Sequence, residues 1–181
     1  MSPVLGTRNS RQGTTPGRAL FVGRFQPFHN GHLAVINQLL EKHNEVIIAL
    51  GSAEESISSD NPMTAGERVE MIRRCFTPSA LSRLIIIPVR NINNNNMWVT
   101  HLVSHLPEFE VVYSNNPLVH YLFSRSGIRA EKFQFIERGS CEGTKIRKDI
   151  LSGGSGWKKC VPKEVAAYLE RLDVRKRLEI Y

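Results

Sequence analysis

Short apolar segments that fit a β-strand alternate along most of this chain with longer segments whose apolar residues recur at helical spacing. Val46–Leu50 is a largely β-branched run that ends at a glycine, whereas Leu33, Ile36 and Leu40 have the i, i+3, i+7 spacing of an amphipathic helix. Regular alternation of the two patterns is typical of β-α-β units, in which helices cover parallel strands. The sequence therefore predicts a doubly wound, Rossmann-like α/β fold, with about five parallel strands and helices on both faces.

The pattern also places the individual elements. Strands are predicted at Ala19–Val22, Val46–Leu50, Leu84–Val89, Glu110–Tyr113 and Lys132–Ile136. Beyond the first helix, helices are predicted at Trp98–Leu106, Pro117–Phe123, Thr144–Leu151 and Pro162–Leu172. The spacing of Thr64 and Glu67 is that of a capping box, which predicts a further helix start. Ligands bind at the carboxyl ends of the strands in such a sheet, so the loops after the strands are the first candidates for a functional site.

The two ends of the predicted domain differ in composition. Residues 1–17 are rich in Gly, Ser, Thr and Pro and have no apolar period, which predicts a disordered extension before a single domain over residues 18–181. The extension carries arginine and no acid, so a transit peptide is the alternative. No apolar run approaches the roughly 18–20 residues of a membrane span, which excludes a helical membrane protein.

The cysteines indicate the redox environment. Cys75, Cys141 and Cys160 are odd in number and lack a C-x-x-C spacing, which argues against a disulfide framework and against a zinc knuckle. No signal-peptide pattern is apparent. The expectation is therefore a cytoplasmic protein with reduced thiols.

Positive charge exceeds negative charge in this chain. There are 24 Lys and Arg against 17 Asp and Glu, a formal net charge of +7, and Glu41 is the first acid. A basic surface favours anionic ligands, whether nucleotides, nucleic acid or a membrane surface. Charge alone does not choose among them.

The loop after the first predicted strand, Gly23–His32, has the composition of a phosphate site. Gly23 allows a sharp turn off the strand, and Gly31 allows backbone to approach a ligand closely. His29 and His32 are three residues apart beside the free N–H groups of a helix start, where two imidazoles can donate to neighbouring phosphate oxygens. The alternatives are a metal site, for which no third ligand lies nearby in sequence, and two histidines without a ligand.

A second helix start has the same character. Thr144 is its predicted N-cap, and Lys145, Arg147 and Lys148 follow within the first turn. The helix dipole repels cations there by about 0.3–1 kcal/mol each, a repulsion that a bound anion would relieve. Three solvated side chains on a basic surface are the alternative. Taken together, the two helix starts predict a polyphosphate site.

These residues carry a resemblance to a known family. Gly23–His32 resembles the signature of the HxGH nucleotidylyltransferase superfamily, and Thr144 and Arg147 fall at its second, [ST]-x-x-R element. Further segments resemble the archaeal-type nicotinamide mononucleotide (NMN) adenylyltransferases in order and spacing: Gly51–Ala53, Pro62–Arg68, Trp98–Val99 and Asn115–Val119. The chain departs from that pattern at Glu54, Asn91 and Glu142.

The resemblance implies transfer of AMP from ATP to NMN, which yields NAD and pyrophosphate. It implies three catalytic residues: His29, His32 and Arg147. The implied ATP site adds Gly23, Arg24, Phe25 and Thr144, with Thr144 capping the helix beneath the phosphates. The implied NMN site consists of Gly51, Ser52, Asn95 and Trp98, with the indole stacked on the nicotinamide ring. Mg²⁺ would be bound by the triphosphate rather than by a cage of protein ligands.

Two other functions stay open. One is an adenylyltransferase of the same superfamily with another acceptor, such as nicotinate mononucleotide, phosphopantetheine or FMN. The other is a protein that binds nucleotides without turnover. The sequence has neither an RNA-binding aromatic platform nor a helix-turn-helix pattern, so nucleic acid is not an expected partner. The expected partners are ATP, NMN and further copies of this chain.

Overall fold

Strands and helices alternate through a computed structural model that describes residues 17–133 and 141–180. The strands are β1 Arg18–Gly23, β2 Glu45–Leu50, β3 Leu84–Pro88, β4 Val111–Tyr113 and β5 Arg129–Glu131. The helices are α1 Asn30–Lys42, α2 Ala65–Arg73, α3 Pro78–Leu81, α4 Asn95–Ser104, α5 Pro117–Arg125, α6 Gly143–Leu151, α7 Lys163–Arg171 and α8 Val174–Leu178. A 3-10 helix, Gly156–Cys160, lies between α6 and α7.

The strands form one sheet in the order β3-β2-β1-β4-β5, and each neighbouring pair is parallel. This confirms the predicted fold class. The chain adds β2 and β3 on one side of β1 and then returns to add β4 and β5 on the other side. The direction of winding therefore reverses between β1 and β4, and the crevice at their carboxyl ends is where a sheet of this class binds ligands.

Alternate residues of the strands pack against helices on opposite faces of the sheet. One face buries Phe21, Ile48 and Leu50 with residues of α1, α2, α6, α7 and α8. The other face buries Leu20 and Ile47 with residues of α4 and α5. The period of two along each strand explains why the central strands read as continuous apolar runs. Within the described ranges no helix is both long and apolar enough to cross a membrane.

The predicted capping box starts α2. Thr64 Oγ1 accepts a hydrogen bond from Glu67 N over 3.2 Å, and Glu67 Oε2 accepts one from Thr64 N over 2.9 Å. The Glu67 carboxylate also accepts from both Nη atoms of Arg177 in α8, over 2.7 and 2.8 Å. The carboxylate therefore caps α2 and joins it to α8.

The last strand differs from its prediction. It is Arg129–Glu131 rather than Lys132–Ile136: residues 132 and 133 are not strand, and 134–136 lie outside the described residues. β5 is a short edge strand with the sequence Arg-Ala-Glu, so no apolar run marks it. Nearly all of the predicted N-terminal extension, residues 1–16, is likewise outside the described part of the chain.

The cysteines also correct an expectation. Cys141 and Cys160 form a disulfide, with their Cα atoms 5.0 Å apart, so the prediction of three reduced thiols is wrong. The 3-10 helix packs against α6 and brings together two positions that are 19 residues apart in sequence, a contact that spacing alone does not reveal. Cys75 is free and half-buried, and burial raises the pKa of its thiol to about 12.

Candidate functional site

The loop that leaves β1 ends in two stacked imidazoles. His29 is the N-cap of α1 and His32 lies in its first turn, with ring centroids 3.6 Å apart and planes inclined by 22°. The main-chain N–H of His29 donates to His32 Nδ1 over 3.3 Å. Because Nδ1 accepts, the proton of a neutral His32 ring lies on Nε2, which is then available as a donor.

Aromatic side chains surround the second imidazole. The His32 ring contacts Phe21, Phe25 and Phe28 at centroid distances of 6.2, 4.8 and 5.6 Å. Burial, and to a lesser extent the neighbouring His29, holds the pKa of His32 well below its ordinary value. Burial lowers the pKa of His29 to about 4. With these lowered pKa values both imidazoles are neutral at pH 7, and a neutral imidazole can donate one N–H.

The phenylalanine predicted at the ATP site lies beneath these rings. Phe25 is 1% exposed and has a positive φ of 54°, so its side chain supports His32 from the core. A Cβ at Gly23 would lie 2.8 Å from the Phe25 ring, which explains the glycine at the end of β1. A Cβ at Gly31 would lie 3.1 Å from the His29 ring. The glycines of this loop therefore admit the packed rings of the site.

The guanidinium of Arg147 is buried at the start of α6. Its Nε donates to Ser59 O over 3.0 Å, and its Nη2 donates to Asp60 Oδ1 over 2.8 Å. Thr144 Oγ1 lies at 3.5 Å from Nη2. The predicted N-cap role of Thr144 is wrong: Glu142 is the N-cap, and Thr144 is the second residue of the helix. Its hydroxyl faces the guanidinium instead.

The structure brings the imidazoles and the guanidinium to one edge of the sheet. Arg147 Nη1 donates over 2.8 Å to the carbonyl oxygen of Gln26, three residues before His29. A Cβ at Gly143 would lie 3.0 Å from the same oxygen, so α6 begins in direct contact with the loop after β1. Glu142 is close enough to His29 to act on the pKa of its ring. Arg24, which is exposed, lies near enough to lower the pKa of Arg147.

One buried cation beneath this edge has no role in the sequence prediction. Arg68 is 0% exposed and donates to the carbonyl oxygens of Arg24, Gly51 and Ser52 over 2.8–2.9 Å. Burial lowers the pKa of Arg68 to about 10, so it stays charged at neutral pH. Arg68 belongs to Pro62–Arg68, one of the segments that resemble the family. Its partners are main-chain carbonyls, so the residue types do not predict them.

Gln26 is a second supporting residue that the sequence did not reveal. Its side chain is 4% exposed, donates from Nε2 to Met63 O over 2.8 Å and accepts at Oε1 from Met63 N over 3.1 Å. The side-chain amide of Gln26 therefore forms a pair of hydrogen bonds with the main chain of the segment that precedes α2. The loop after β1 is held from that side by Gln26 and from α6 by Arg147.

Two of the residues predicted to bind NMN lie at the end of β2, next to the loop after β1. Gly51 N donates to Gly23 O over 2.9 Å, and Ser52 is 7% exposed with a φ of 48°. The other two lie on α4. Asn95 is the exposed first residue of that helix, and Trp98 is half-buried with its ring edge-on to Phe123 at 5.9 Å. Stacking of the indole on a substrate ring stays a prediction.

The departures from the family pattern have contacts of their own. Glu54 accepts from Asn91 N with both carboxylate oxygens, over 3.0 and 3.1 Å, so two of the three departures are partners at the ends of β2 and β3. Glu142 lies 3.4 Å from Lys145 Nζ.

Over residues 17–133 and 141–180, no group of three or more His, Cys, Asp or Glu side chains could hold a metal ion.

Comparison with known proteins gives consistent matches. A model of the cytidylyltransferase-like family matches residues 20–149. The nicotinamide-nucleotide adenylyltransferase of Archaeoglobus fulgidus is 45% identical over 166 residues, which cover 89% of this chain and 95% of that protein. That of Methanolobus tindarius is 42% identical over 162 residues, 90% and 92% of the two chains.

A solved structure shares the fold. It is a bifunctional NMN adenylyltransferase/ADP ribose pyrophosphatase from Francisella tularensis complexed with AMP and a manganese ion, with a TM-score of 0.74 at 22% identity. The match covers 90% of this chain and 52% of the bifunctional protein, so the present chain spans about half of that protein's length.

Proposed function

Because the chain belongs to the cytidylyltransferase-like family, and within it to the nicotinamide-nucleotide adenylyltransferases, we propose that it transfers AMP from ATP to nicotinamide mononucleotide. The products are NAD and pyrophosphate. The observation that carries this proposal is the hydrogen bond from Arg147 to the Gln26 carbonyl. It joins the guanidinium of the second motif to the loop that carries the paired imidazoles, which supports the proposal that these groups bind one triphosphate.

The proposed reaction needs alignment and charge rather than a protein nucleophile. A phosphate oxygen of NMN forms a bond to the α-phosphorus of ATP, while the bond from that phosphorus to the α,β-bridging oxygen breaks. Pyrophosphate leaves with the bonding electrons. Phosphoryl-type transfers are accelerated chiefly by in-line positioning and by donors that face the developing negative charge.

The proposed roles follow from the protonation states of the side chains. His29 and His32 are neutral, so each would donate one N–H to phosphate oxygens without adding a charge of its own. The positive charge that faces the β- and γ-phosphates would come from Arg147 and the exposed Arg24. Gly23 and Thr144 complete the proposed ATP site, and Phe25 supports it through His32.

On the acceptor side, Gly51 and Ser52 would bind NMN at the end of β2, with Asn95 and Trp98 approaching from α4. Arg68 supports this side because it fixes the carbonyl groups of Gly51 and Ser52. The divalent ion enters as part of the MgATP substrate, bound by the phosphates.

Two further parts of the proposal concern the setting of the reaction. We place the enzyme in the cytoplasm, where ATP is available, and cell fractionation tests this. We also propose self-association, and sedimentation analysis tests that. Met97, Leu118 and Tyr121, on the neighbouring helices α4 and α5, are 52%, 47% and 57% exposed and offer apolar surface for it.

The deciding experiment measures pyrophosphate release from ATP and Mg²⁺ with a panel of acceptors: NMN, nicotinate mononucleotide, phosphopantetheine and FMN. Release with NMN, together with formation of NAD, is the expected result. Release only with another acceptor would retain nucleotidyl transfer and overturn the acceptor. If no acceptor gave pyrophosphate release although the protein bound ATP, the result would favour a protein that binds nucleotides without turnover.

A further inference from the structure

The buried guanidinium of Arg147 contacts main-chain carbonyls, one carboxylate and, at 3.5 Å, the hydroxyl of Thr144. Its Nε and Nη1 donate to the main-chain carbonyls of Ser59 and Gln26, over 3.0 and 2.8 Å, which fix the plane of the group. Its Nη2 donates to the carboxylate of Asp60 over 2.8 Å. Asp60 is the one anion paired with Arg147 among residues 17–133 and 141–180. The two carbonyls occupy Nε and Nη1, so Asp60 binds the remaining nitrogen, Nη2, where another anion could replace it.

This ion pair is unequal in exposure. The Arg147 side chain is 7% exposed and that of Asp60 is 71% exposed. A buried guanidinium that lost its anion would be costly, whereas an exposed carboxylate that swings away enters water at little cost. Exchange of the Asp60 carboxylate for another anion therefore satisfies both groups.

The Asp60 side chain can move while the backbone of its loop, residues 58–61, stays in place. In the described part of the chain, Asp60 makes no side-chain hydrogen bond other than that to Arg147. The backbone on either side is held: Ser58 N donates to Asn61 O over 3.3 Å, and Asn61 N donates to Ser58 Oγ over 3.1 Å. A rotation about the side-chain bonds of Asp60 would take its carboxylate off Nη2 without a movement of the loop backbone.

We propose that the Asp60 carboxylate takes the place of a phosphoryl group on Arg147 and is displaced by the triphosphate of ATP. The inference rests on the proposed function, in which Arg147 binds the β- and γ-phosphates. Carboxylate and phosphate cannot share Nη2, because like charges at contact distance repel each other. Asp60 is therefore a positioning residue and a built-in competitor: it keeps Arg147 paired before ATP binds, weakens the binding of the triphosphate and favours release of pyrophosphate.

The test is calorimetric titration of the full-length protein with inorganic triphosphate and, separately, with ATP, each with Mg²⁺. Asp60→Asn removes the competing charge and is expected to tighten both ligands at least about threefold, the scale of one partly exposed ion pair. Asp60→Glu keeps the charge and is expected to return the affinity towards that of the wild type.

Glu142→Gln is the matched control, since Glu142 is an exposed carboxylate at the same edge that pairs with Lys145 rather than Arg147. It removes the same charge and is expected to tighten either ligand less than about twofold, because solvent screens the exposed Glu142 carboxylate and this carboxylate does not occupy a donor of Arg147. In steady-state assays, Asp60→Asn is expected to lower the KM for ATP and to make pyrophosphate a stronger product inhibitor.

Three results would overturn the inference. Unchanged or weaker binding by Asp60→Asn would make Asp60 a fixed support of Arg147 or a ligand of the nucleotide complex. Equal tightening by Glu142→Gln would reduce the effect to net charge. If the wild-type protein bound neither ATP nor triphosphate, the proposed function itself would fail, and this inference with it.

Discussion

Arg147 Nη1 lies 2.8 Å from the main-chain oxygen of Gln26, although 121 residues separate the two in sequence. The side-chain amide of Gln26 also forms two hydrogen bonds with the main chain of Met63. Three segments of the chain therefore meet at one residue next to the imidazole pair. Main-chain carbonyl groups hold the guanidinium groups of both Arg147 and Arg68 in place.

Loss of one imidazole donor should reduce turnover strongly. His32→Ala is expected to lower kcat by about 10²–10³-fold, the scale for removal of one transition-state donor. Initial rates of NAD formation at saturating ATP and NMN measure the effect. His105→Ala, at an exposed histidine of α4's C-cap, is the control and should change kcat by less than about twofold. A loss below threefold for His32→Ala, with the fold intact, would count against its role.

Replacement of the buried arginine should destabilise the protein. Arg68→Lys keeps the charge, but one ammonium cannot reach the carbonyls of Arg24, Gly51 and Ser52 together, so some would stay buried and unpaired. The expected loss of unfolding free energy is about 2–4 kcal/mol, measured by urea denaturation. Arg73→Lys, at an exposed position of the same helix, should cost less than about 0.5 kcal/mol. Equal effects at the two positions would contradict the supporting role of Arg68.

Stability should depend on pH through the imidazole pair. Burial lowers the pKa of His29 to about 4 from 6.5, and it also lowers the pKa of His32. Between these values the unfolded chain binds protons that the folded protein does not. The contribution of the neutral rings is therefore complete above pH 6.5 and is lost as the pH falls towards 4, by up to about 1.4 kcal/mol per pH unit for each ring.

Urea denaturation at several values between pH 7.5 and 5 measures this slope. His29→Asn, which keeps a good N-cap residue, should reduce the slope by up to one proton. Asn37→Ala, at an exposed position of the same helix, should leave the slope unchanged. The same slope in the wild type and in His29→Asn would contradict the lowered pKa of His29.

The disulfide predicts a definite pattern of thiol chemistry. In denaturant without reductant, alkylation and mass spectrometry should label Cys75 alone, and reductant should add Cys141 and Cys160. Cys160→Ser should lower the unfolding free energy by about 3 kcal/mol, since the bridge closes a loop of 19 residues. Cys75→Ser is the control and should leave the bridge intact. Three labelled thiols without reductant would refute the pairing.

The sequence was informative where residue type alone carries the signal. The apolar runs of β1 to β4 and the capping box of α2 predicted the sheet and its helices, because burial and capping depend on local composition. β5 was misplaced because Arg129–Glu131 gains its strand conformation from pairing with β4, not from its own residues. Tertiary pairing overrides local preference at such an edge.

In the site, the sequence pointed to the residues but not to their partners. Spacing and charge indicated the paired imidazoles and the group of cations around Arg147, and the family resemblance singled out Arg147 within that group. That Asp60 pairs with Arg147, or that Arg68 is buried beneath three carbonyls, depends on segments brought together by the sheet order. Thr144 was taken for the cap because threonine is a favoured N-cap residue, whereas the N-cap lies two residues earlier, at Glu142, and the helix begins with Gly143 against Gln26.

The order of elements along the chain has a consequence for synthesis on the ribosome. The imidazoles follow the first strand, whereas the guanidinium that completes their site follows the last. An emerging polypeptide therefore presents all five strands before the guanidinium of the proposed ATP site, and synthesis that stops between residues 131 and 147 would supply every strand of the sheet without that guanidinium.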